Sequence, residues 1–561
     1  MTREADRNEG RQDFDESERG DPRIESVAPK SSVPLFILGS LLILCAFRGL
    51  HLVAGLVRPP DIDSLRDVGF IQGLLDGNWF ADPAYTGEWR YYPPLVHAFG
   101  AWLARLLGAK DALAFWVQAG VWLNLLTPLT FFFMAKRLLG SSQAAAASAT
   151  VYVLFNGAVS RPWMTGGYTP WPFTPSISQA LFFASVWIIL KIGIPGVTWK
   201  KLLSAVTIGA LIGLALLAHL IPAVILTAIV TSVAFGTGGF RARTLIWLAV
   251  VAIAELATAA PYLAPILINY PTGVVNRAVI DWVDPLMSRS AVPKIILLNL
   301  PGIAAFACLL LLGRRMDPPL NCPSLLALLS WIAVCTVAIT RYYVCGLVGH
   351  GPARVCQTFY LPVFYYHVYL QNAWACLVGF VGWQAMRRIW ERWSKFAACP
   401  MVAAGLVGAV LVVGGFASFH RPFDIASRAA ALSDGTSMDL EAYRWILANT
   451  VPQDLFITNL TSDDYPNVTA FSVMAAGRQL ATVPKNFSNP YVDWNEKNDQ
   501  RLRYLEAATD PDRRGTALCN LGRGHRWLLL PNDFKVIQAR AAPAFRTRYN
   551  TVYRITASEC P

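Results

Sequence analysis

Residues 61–95 read DIDSLRDVGFIQGLLDGNWFADPAYTGEWRYYPPL and follow directly on an apolar run, 33–57, long enough to cross a bilayer. Three acids in seven residues (Asp61, Asp63, Asp67), then a loop rich in Trp, Tyr and Pro, make an unusual exit from a membrane segment. Acids at that level are costly unless a partner or a polar cavity receives them. Locally, DIDS reads as a cap on a helix over 64–75, because carboxylates at a helix N-terminus meet free N–H groups and the positive end of the dipole. Whether the acids do more depends on the rest of the chain.

That rest is membrane-like. Of 561 residues, 54% are hydrophobic and 15% charged, against about 25% charged in soluble domains. Apolar stretches predict about eleven spans, at 33–57, 112–135, 143–157, 176–193, 202–218, 220–236, 244–268, 293–312, 320–340, 359–385 and 399–419. The fold class expected is therefore an α-helical multi-pass membrane protein. With the N-terminus inside, the even-numbered spans end at AKRLLG, WKK, FRAR, GRR and MRRIWERWSK, all on one side. Short-loop Lys and Arg mark the cytoplasmic face. The segment 94–107, PLVHAFGAWLARLL, is short for a span and reads as an interfacial helix on the outer surface.

Three regions follow. Residues 1–32 form a charge-rich tail, expected to be disordered and cytoplasmic. Residues 33–419 form the membrane domain, whose first outer loop is 58–111. Residues 420–561 alternate helical and strand-like patterns and predict a small α/β extracytoplasmic domain. The net charge of +12 does not point to nucleic acid, because Lys and Arg against Asp and Glu count 6 to 9 in the tail and 17 to 15 in the terminal domain. The surplus lies at helix ends in the membrane region, so the chain is expected to bind no nucleic acid. The Cys residues show no CxxC pair and no metal-ligand spacing. Cys345 with Cys356, and Cys519 with Cys560, are spaced to allow disulfides in an oxidising compartment.

The order of elements after the first span resembles the first outer loop of the GT-C superfamily of membrane glycosyltransferases. The matching residues are Asp63 with Arg66 three positions on, the helix 64–75, GNWFADP at 77–83 and YYPPL at 91–95. The span number, the long first outer loop and the outer terminal domain are similar too. The loop, the YPP start and the segment NPYVDWNEKNDQR at 489–501 are also similar to bacterial arabinofuranosyltransferases, whereas the WWDYG-type signature of oligosaccharyltransferases is missing.

The resemblance implies a bacterial inner-membrane enzyme with a cytoplasmic N-terminus, moving a sugar from a polyprenyl-phosphate donor to an envelope glycan, lipid or protein acceptor on the outer face. It implies inverting chemistry with Asp63 as general base; Asp61 is the other candidate. Asp61 and Asp63 also form a D-x-D pair, two hard oxygen ligands able to take Mg²⁺ or Mn²⁺. Arg66, Tyr91 and Tyr92 are expected near the substrate. The loop RYYVCGLVGHGPARVCQTF offers Arg341, His350 and Arg354 to the donor phosphate, with Arg354 preferred because a guanidinium binds phosphate through two donors. His219 reads as a packing or hydrogen-bonding residue, and WMTGGYTPWPFTP at 163–175 either as part of an interfacial aromatic belt, the reading preferred, or as a stacking wall for sugars. The rival readings are a transporter or flippase of lipid-linked sugars and a non-catalytic scaffold of an envelope-polymer complex.

Overall fold

The computed structural model describes residues 32–556 apart from 83–84, 157–165, 271–272, 277–291, 314–315, 317–319, 349–362, 394–412, 415, 417–420, 433–437, 460–467 and 522–524. It is a multi-pass helical protein that carries a small sheet. The helices are α1 (Val33–Val53), α2 (Ile62–Leu75), α3 (Leu95–Leu106), α4 (Ala112–Leu123), α5 (Leu126–Leu139) and α6 (Ser142–Thr150, continued by a π-turn to Phe155). They continue with α7 (Thr174–Ile192), α8 (Trp199–Ala218), α9 (Leu220–Gly238), α10 (Ala242–Asn269), α11 (Val292–Leu312), α12 (Cys322–Val348) and α13 (Val363–Trp393).

Eight helical stretches among the described residues are long and apolar enough to span a bilayer, with α4 and α5 counted as one. These match eight of the eleven expected spans. The segment 143–157 is the shorter apolar helix Ser142–Phe155. Helix α13 covers the region of 359–385, and most of 399–419 lies outside the described residues.

Basic residues gather at one end of the bundle. Arg137, in the last turn of α5, donates from Nε and Nη2 to the Leu190 carbonyl at the end of α7 (3.2 and 2.8 Å). Trp247 of α10 donates to the Lys201 carbonyl at the start of α8 (3.0 Å). A cation at a helix C-terminus satisfies free carbonyls and complements the dipole. The opposite end carries α2, α3 and the sheet.

Helix α3 behaves as an amphipathic surface helix. It buries Val96, His97, Gly100, Ala101 and Ala104, and exposes Phe99, Trp102 and Leu106. The 163–175 segment is a correction. Its described part, 166–175, is buried, not set in an interfacial belt. Asn124 Nδ2 donates to the Trp171 carbonyl (2.9 Å), Tyr168 Oη to the Val121 carbonyl (3.3 Å), and Trp171 Nε1 to Asp424 (3.1 Å). Irregular backbone at this depth is tolerated only where protein groups satisfy it.

The terminal region adds α14 (Pro422–Leu432), α15 (Leu440–Asn449), α16 (Val468–Ala475) and α17 (Trp494–Thr509). Its strands are β1 (Leu455–Thr458), β2 (Gln479–Leu480), β3 (Arg526–Pro531), β4 (Ala541–Arg546) and β5 (Asn550–Ile555). Their order is β2-β1-β3-β5-β4, with β1 parallel to β2 and β3 and the other pairs antiparallel. Cys519 is disulfide-bonded; Cys345, Cys356 and Cys560 lie outside the residues described in detail.

Packing joins the sheet to the first outer loop. Ile62, Leu65, Val68 and Ile71 of α2 share one apolar core with Phe471 and Met474 of α16 and with Phe456 and Trp527 of the sheet. Gly69 is where α2 and α16 touch, because a Cβ there would overlap the Met474 carbonyl oxygen. Gly69→Ala should therefore lower the melting temperature of the purified protein. The overlap costs about 1–3 kcal/mol, more than the up to ~1 kcal/mol that alanine returns in helix propensity. Gly73→Ala is the control, since the nearest atom to its Cβ is the Asn78 oxygen at 3.8 Å. Equal melting of the two variants would refute the close contact.

Candidate active site

Helix α2 begins where the sequence predicts. Asp61 is its N-cap, extended, with Oδ1 accepting from the Asp63 N–H (2.7 Å). Helical spacing then puts Asp63, Arg66, Asp67 and Phe70 on one face. Arg66 is the hub of that face. Its Nη1 reaches Asp63 Oδ1 (2.9 Å), its Nη2 reaches Asp67 Oδ1 (3.5 Å), and its guanidinium lies 4.4 Å from the centre of the Tyr92 ring.

The three acids differ in surroundings. Asp67 is 1% exposed and bridges two elements: His97 Nε2 of α3 is 3.1 Å from Oδ1, and Thr174 Oγ1 and N of α7 are 2.9 and 3.4 Å from Oδ2. Its carboxylate therefore sits on the N-terminus of α7, where a negative charge is favoured. Burial works against the ionised form, but His97, Arg66 and Thr174 outweigh it and hold Asp67 below the usual carboxylate range. Burial lowers the His97 imidazole against the pull of Asp67; the Asp67 carboxylate can only accept, so His97 Nε2 donates in this contact. Asp61 is buried, and that burial, reinforced by Asp63, pushes its carboxyl up to about 8 against the pull of the Asp63 and Ser64 N–H groups and Arg66. Asp63 keeps its side chain 31% exposed; burial raises it, with Arg66 pulling the other way. Burial opposes charge on Arg66 too, but Tyr92, Asp63 and Asp67 hold it protonated.

The raised Asp61 has a consequence for stability. A carboxyl whose folded pKa exceeds its unfolded value of about 4 binds more protons when folded, so it favours the fold at low pH and less so as pH climbs through about 8. Asp61→Asn keeps a good cap and should flatten the loss of thermal stability between about pH 4 and pH 8. A melting profile against pH that is unchanged by the substitution would refute this.

Around the acids, the walls come from distant parts of the chain. Tyr91 and Tyr92 pack edge to face (6.0 Å), and Tyr92 and Phe70 flank His97. Tyr262, between the two prolines inside α10, donates its hydroxyl to the Tyr91 carbonyl. His219, at the break between α8 and α9, packs against Tyr365 of α13 (4.7 Å) and has Arg66 and Asp67 as charged neighbours. Tyr365 in turn lies within electrostatic reach of Tyr92, Asp63, Arg66 and Asp67. On the outer side, Asn489 Nδ2 reaches Asp82 (3.1 Å) and the Trp89 carbonyl (3.2 Å), which bolts the 489–501 segment to the loop.

Thus Asp61, Asp63, Arg66, Tyr91 and Tyr92 lie together. Arg341 is exposed, on α12. His350 and Arg354 lie outside the described residues. Sequence reasoning missed the Asp67–His97–Thr174 junction and the parts played by His219, Tyr262 and Tyr365. The α2 periodicity alone was enough to place Asp67 beside Arg66.

The D-x-D pair already spends one oxygen of each carboxylate on the protein itself. Asp61 Oδ1 is taken by a backbone N–H and Asp63 Oδ1 by Arg66. No group of three or more His, Cys, Asp or Glu able to hold a metal occurs among the described residues. No step is derived through a metal.

Neither a protein-family model nor a curated protein sequence matches the chain. Solved structures do. The Archaeoglobus fulgidus oligosaccharyltransferase, tethered with an acceptor peptide, aligns at TM-score 0.54 and 13% identity over 90% of this chain and 69% of its own. ArnT from Cupriavidus metallidurans, bound to undecaprenyl phosphate, aligns at 0.52 and 13% over 95% and 99%. The arabinofuranosyltransferase AftD from mycobacteria aligns at 0.52 and 12% over 93% of this chain, which spans only 40% of AftD. At these identities the likeness is one of architecture: the chain has the fold of the GT-C glycosyltransferases.

Proposed function

We propose that this protein is an integral membrane glycosyltransferase of the bacterial inner membrane. It takes a sugar from a polyprenyl-phosphate donor and passes it, with inversion, to an envelope glycan, lipid or protein acceptor on the outer face. The observation that carries the reading is Asp63, the most accessible carboxylate on the α2 face, set beside Arg66, Tyr92 and Tyr365 on a fold shared with ArnT bound to undecaprenyl phosphate.

In this reading Asp63 takes the proton of the acceptor hydroxyl as that oxygen bonds to the anomeric carbon. The bond from that carbon to the phosphate oxygen breaks, and its electron pair leaves on the polyprenyl phosphate. A hydroxyl is a poor nucleophile, so a carboxylate within hydrogen-bond reach contributes typically 10²–10⁴-fold. Burial raises the affinity of Asp63 for protons, with Arg66 pulling the other way. Arg66, fixed by two carboxylates and the Tyr92 ring, sets the direction of Asp63 and supplies positive charge where phosphate charge develops. The basic end of the bundle, opposite α2 and the sheet, supports a cytoplasmic placement of that end.

The test is transfer of labelled sugar from a panel of polyprenyl-phosphate sugars to cell-envelope acceptor by the purified protein in nanodiscs. Product formation supports the proposal. Movement of an intact lipid-linked sugar across proteoliposome membranes, with no bond broken, overturns it in favour of a flippase.

A further inference from the structure

Helix α8 ends at Ala218, His219 is fully extended (φ −167°, ψ 140°), and α9 starts at once with Leu220. The break therefore puts the N-terminus of a 19-residue helix inside the protein, with no side chain capping it. The first N–H groups of a helix have no partner within it. Pro222, in the first turn, removes one of them, which leaves those of Leu220 and Ile221. Together with the aligned peptide dipoles they carry about half a positive charge.

What faces this end points to an anion. His219 is 7% exposed, and its Nδ1 has no hydrogen-bond partner. Its ring is held against Tyr365, and its charged neighbours are Arg66 and Asp67. Arg66 spends Nη1 on Asp63 and Nη2 on Asp67, while its Nε is buried without a partner. Asp67, the negative charge nearest to His219, is already satisfied by His97, Thr174 and Arg66. Unpaired donors buried at this depth are costly unless something polar completes them.

We propose that the break at His219 is a cradle for the phosphate of an amphipathic lipid, formed by the Leu220 and Ile221 N–H groups, His219 Nδ1–H and the Arg66 guanidinium. A phosphate on a helix N-terminus is a recurrent arrangement. The junction lies between two membrane spans, so a phosphate bound there keeps its hydrocarbon tail in the bilayer. The inference rests on the lipid-phosphate donor of the proposed function and names the residues that would hold it.

Binding, measured without turnover, separates the two ideas. Wild type in phosphatidylcholine nanodiscs is titrated with undecaprenyl phosphate, with inorganic phosphate and with phosphatidylglycerol, and retention is read by native mass spectrometry. His219→Ala should weaken undecaprenyl phosphate at least tenfold at an unchanged melting temperature. Leu220→Pro is the second variant. It deletes one N–H at a helix position that accepts proline, after an extended residue that suits a following proline, and it should also weaken binding. Binding by both variants equal to wild type overturns the cradle and leaves the transferase reading intact. Sugar transfer by wild type without retention of the lipid phosphate does the same. A His219-dependent response to inorganic phosphate or phosphatidylglycerol equal to that for undecaprenyl phosphate overturns the assignment to a polyprenyl lipid. Wild type that neither retains the lipid phosphate nor transfers sugar overturns both.

Discussion

Asp63→Asn should lower sugar transfer by roughly 10²-fold or more while the protein still folds, binds donor and melts normally. The amide preserves size and can still meet Tyr92 and Arg66, but it cannot accept the acceptor's proton. The matched control is Asp61→Asn. Asp61 is a buried cap whose Oδ1 holds a backbone N–H, and asparagine caps a helix as well as aspartate does, so transfer should stay within a few-fold of wild type. Initial rates with one labelled donor at matched protein levels decide between them. A dead Asp61→Asn beside an active Asp63→Asn would exchange their roles. Full activity in both would take the role of base away from Asp61 and Asp63.

The largest effect on folding is expected at Asp424→Ala. Arg48, near the end of α1, is 2% exposed and pairs with Asp424 of α14, which also accepts from Trp171 Nε1. Removing the acid strands a guanidinium inside the protein, a loss of about 3–5 kcal/mol. It also leaves the Trp171 N–H without an acceptor, a further ~1–3 kcal/mol. The expected result is poor accumulation and early thermal unfolding in detergent. The double variant Arg48→Met with Asp424→Leu should recover most of the stability, since apolar replacement of a buried ion pair is often neutral or better. If Asp424→Ala melts as wild type does, the pair carries no such weight.

The membrane architecture was legible because long apolar runs leave few alternatives: eight expected spans reappear as helices. Strands β1 and β5, LFIT and NTVYRI, stand out as β-branched and aromatic runs, and β3, RWLLLP, as a short apolar one. Strand β4, AAPAFR, does not. It is an edge strand, its ladder shifts register between Pro543 and Phe545, and proline is admitted only at such places. At the site, the α2 residues were readable because helical spacing is local. Thr174, His219, Tyr262 and Tyr365 were not, because what brings them to Asp67, Arg66, Tyr91 and Asp63 is the packing of separate helices, and no one segment records it. The buried course of 166–175 was missed for the same reason. An aromatic, proline-rich stretch has one composition whether it faces lipid or is buried in the protein.

The contact at Gly69 also bears on how the molecule is made. Helix α2 emerges early in synthesis, whereas its partner α16 lies some four hundred residues later. At about 5–20 residues per second, roughly 20–80 s pass between them. Until α16 arrives, the apolar face of Ile62, Leu65 and Val68 has no Phe471 or Met474 to rest on. A nascent chain stopped before residue 440 would hold all its apolar spans and still lack the support under Asp63 and Arg66. The packing beneath Asp63 and Arg66 is thus completed only once α16 has been made and has docked on α2, so chains that stop short of it would leave that face of α2 without its partner.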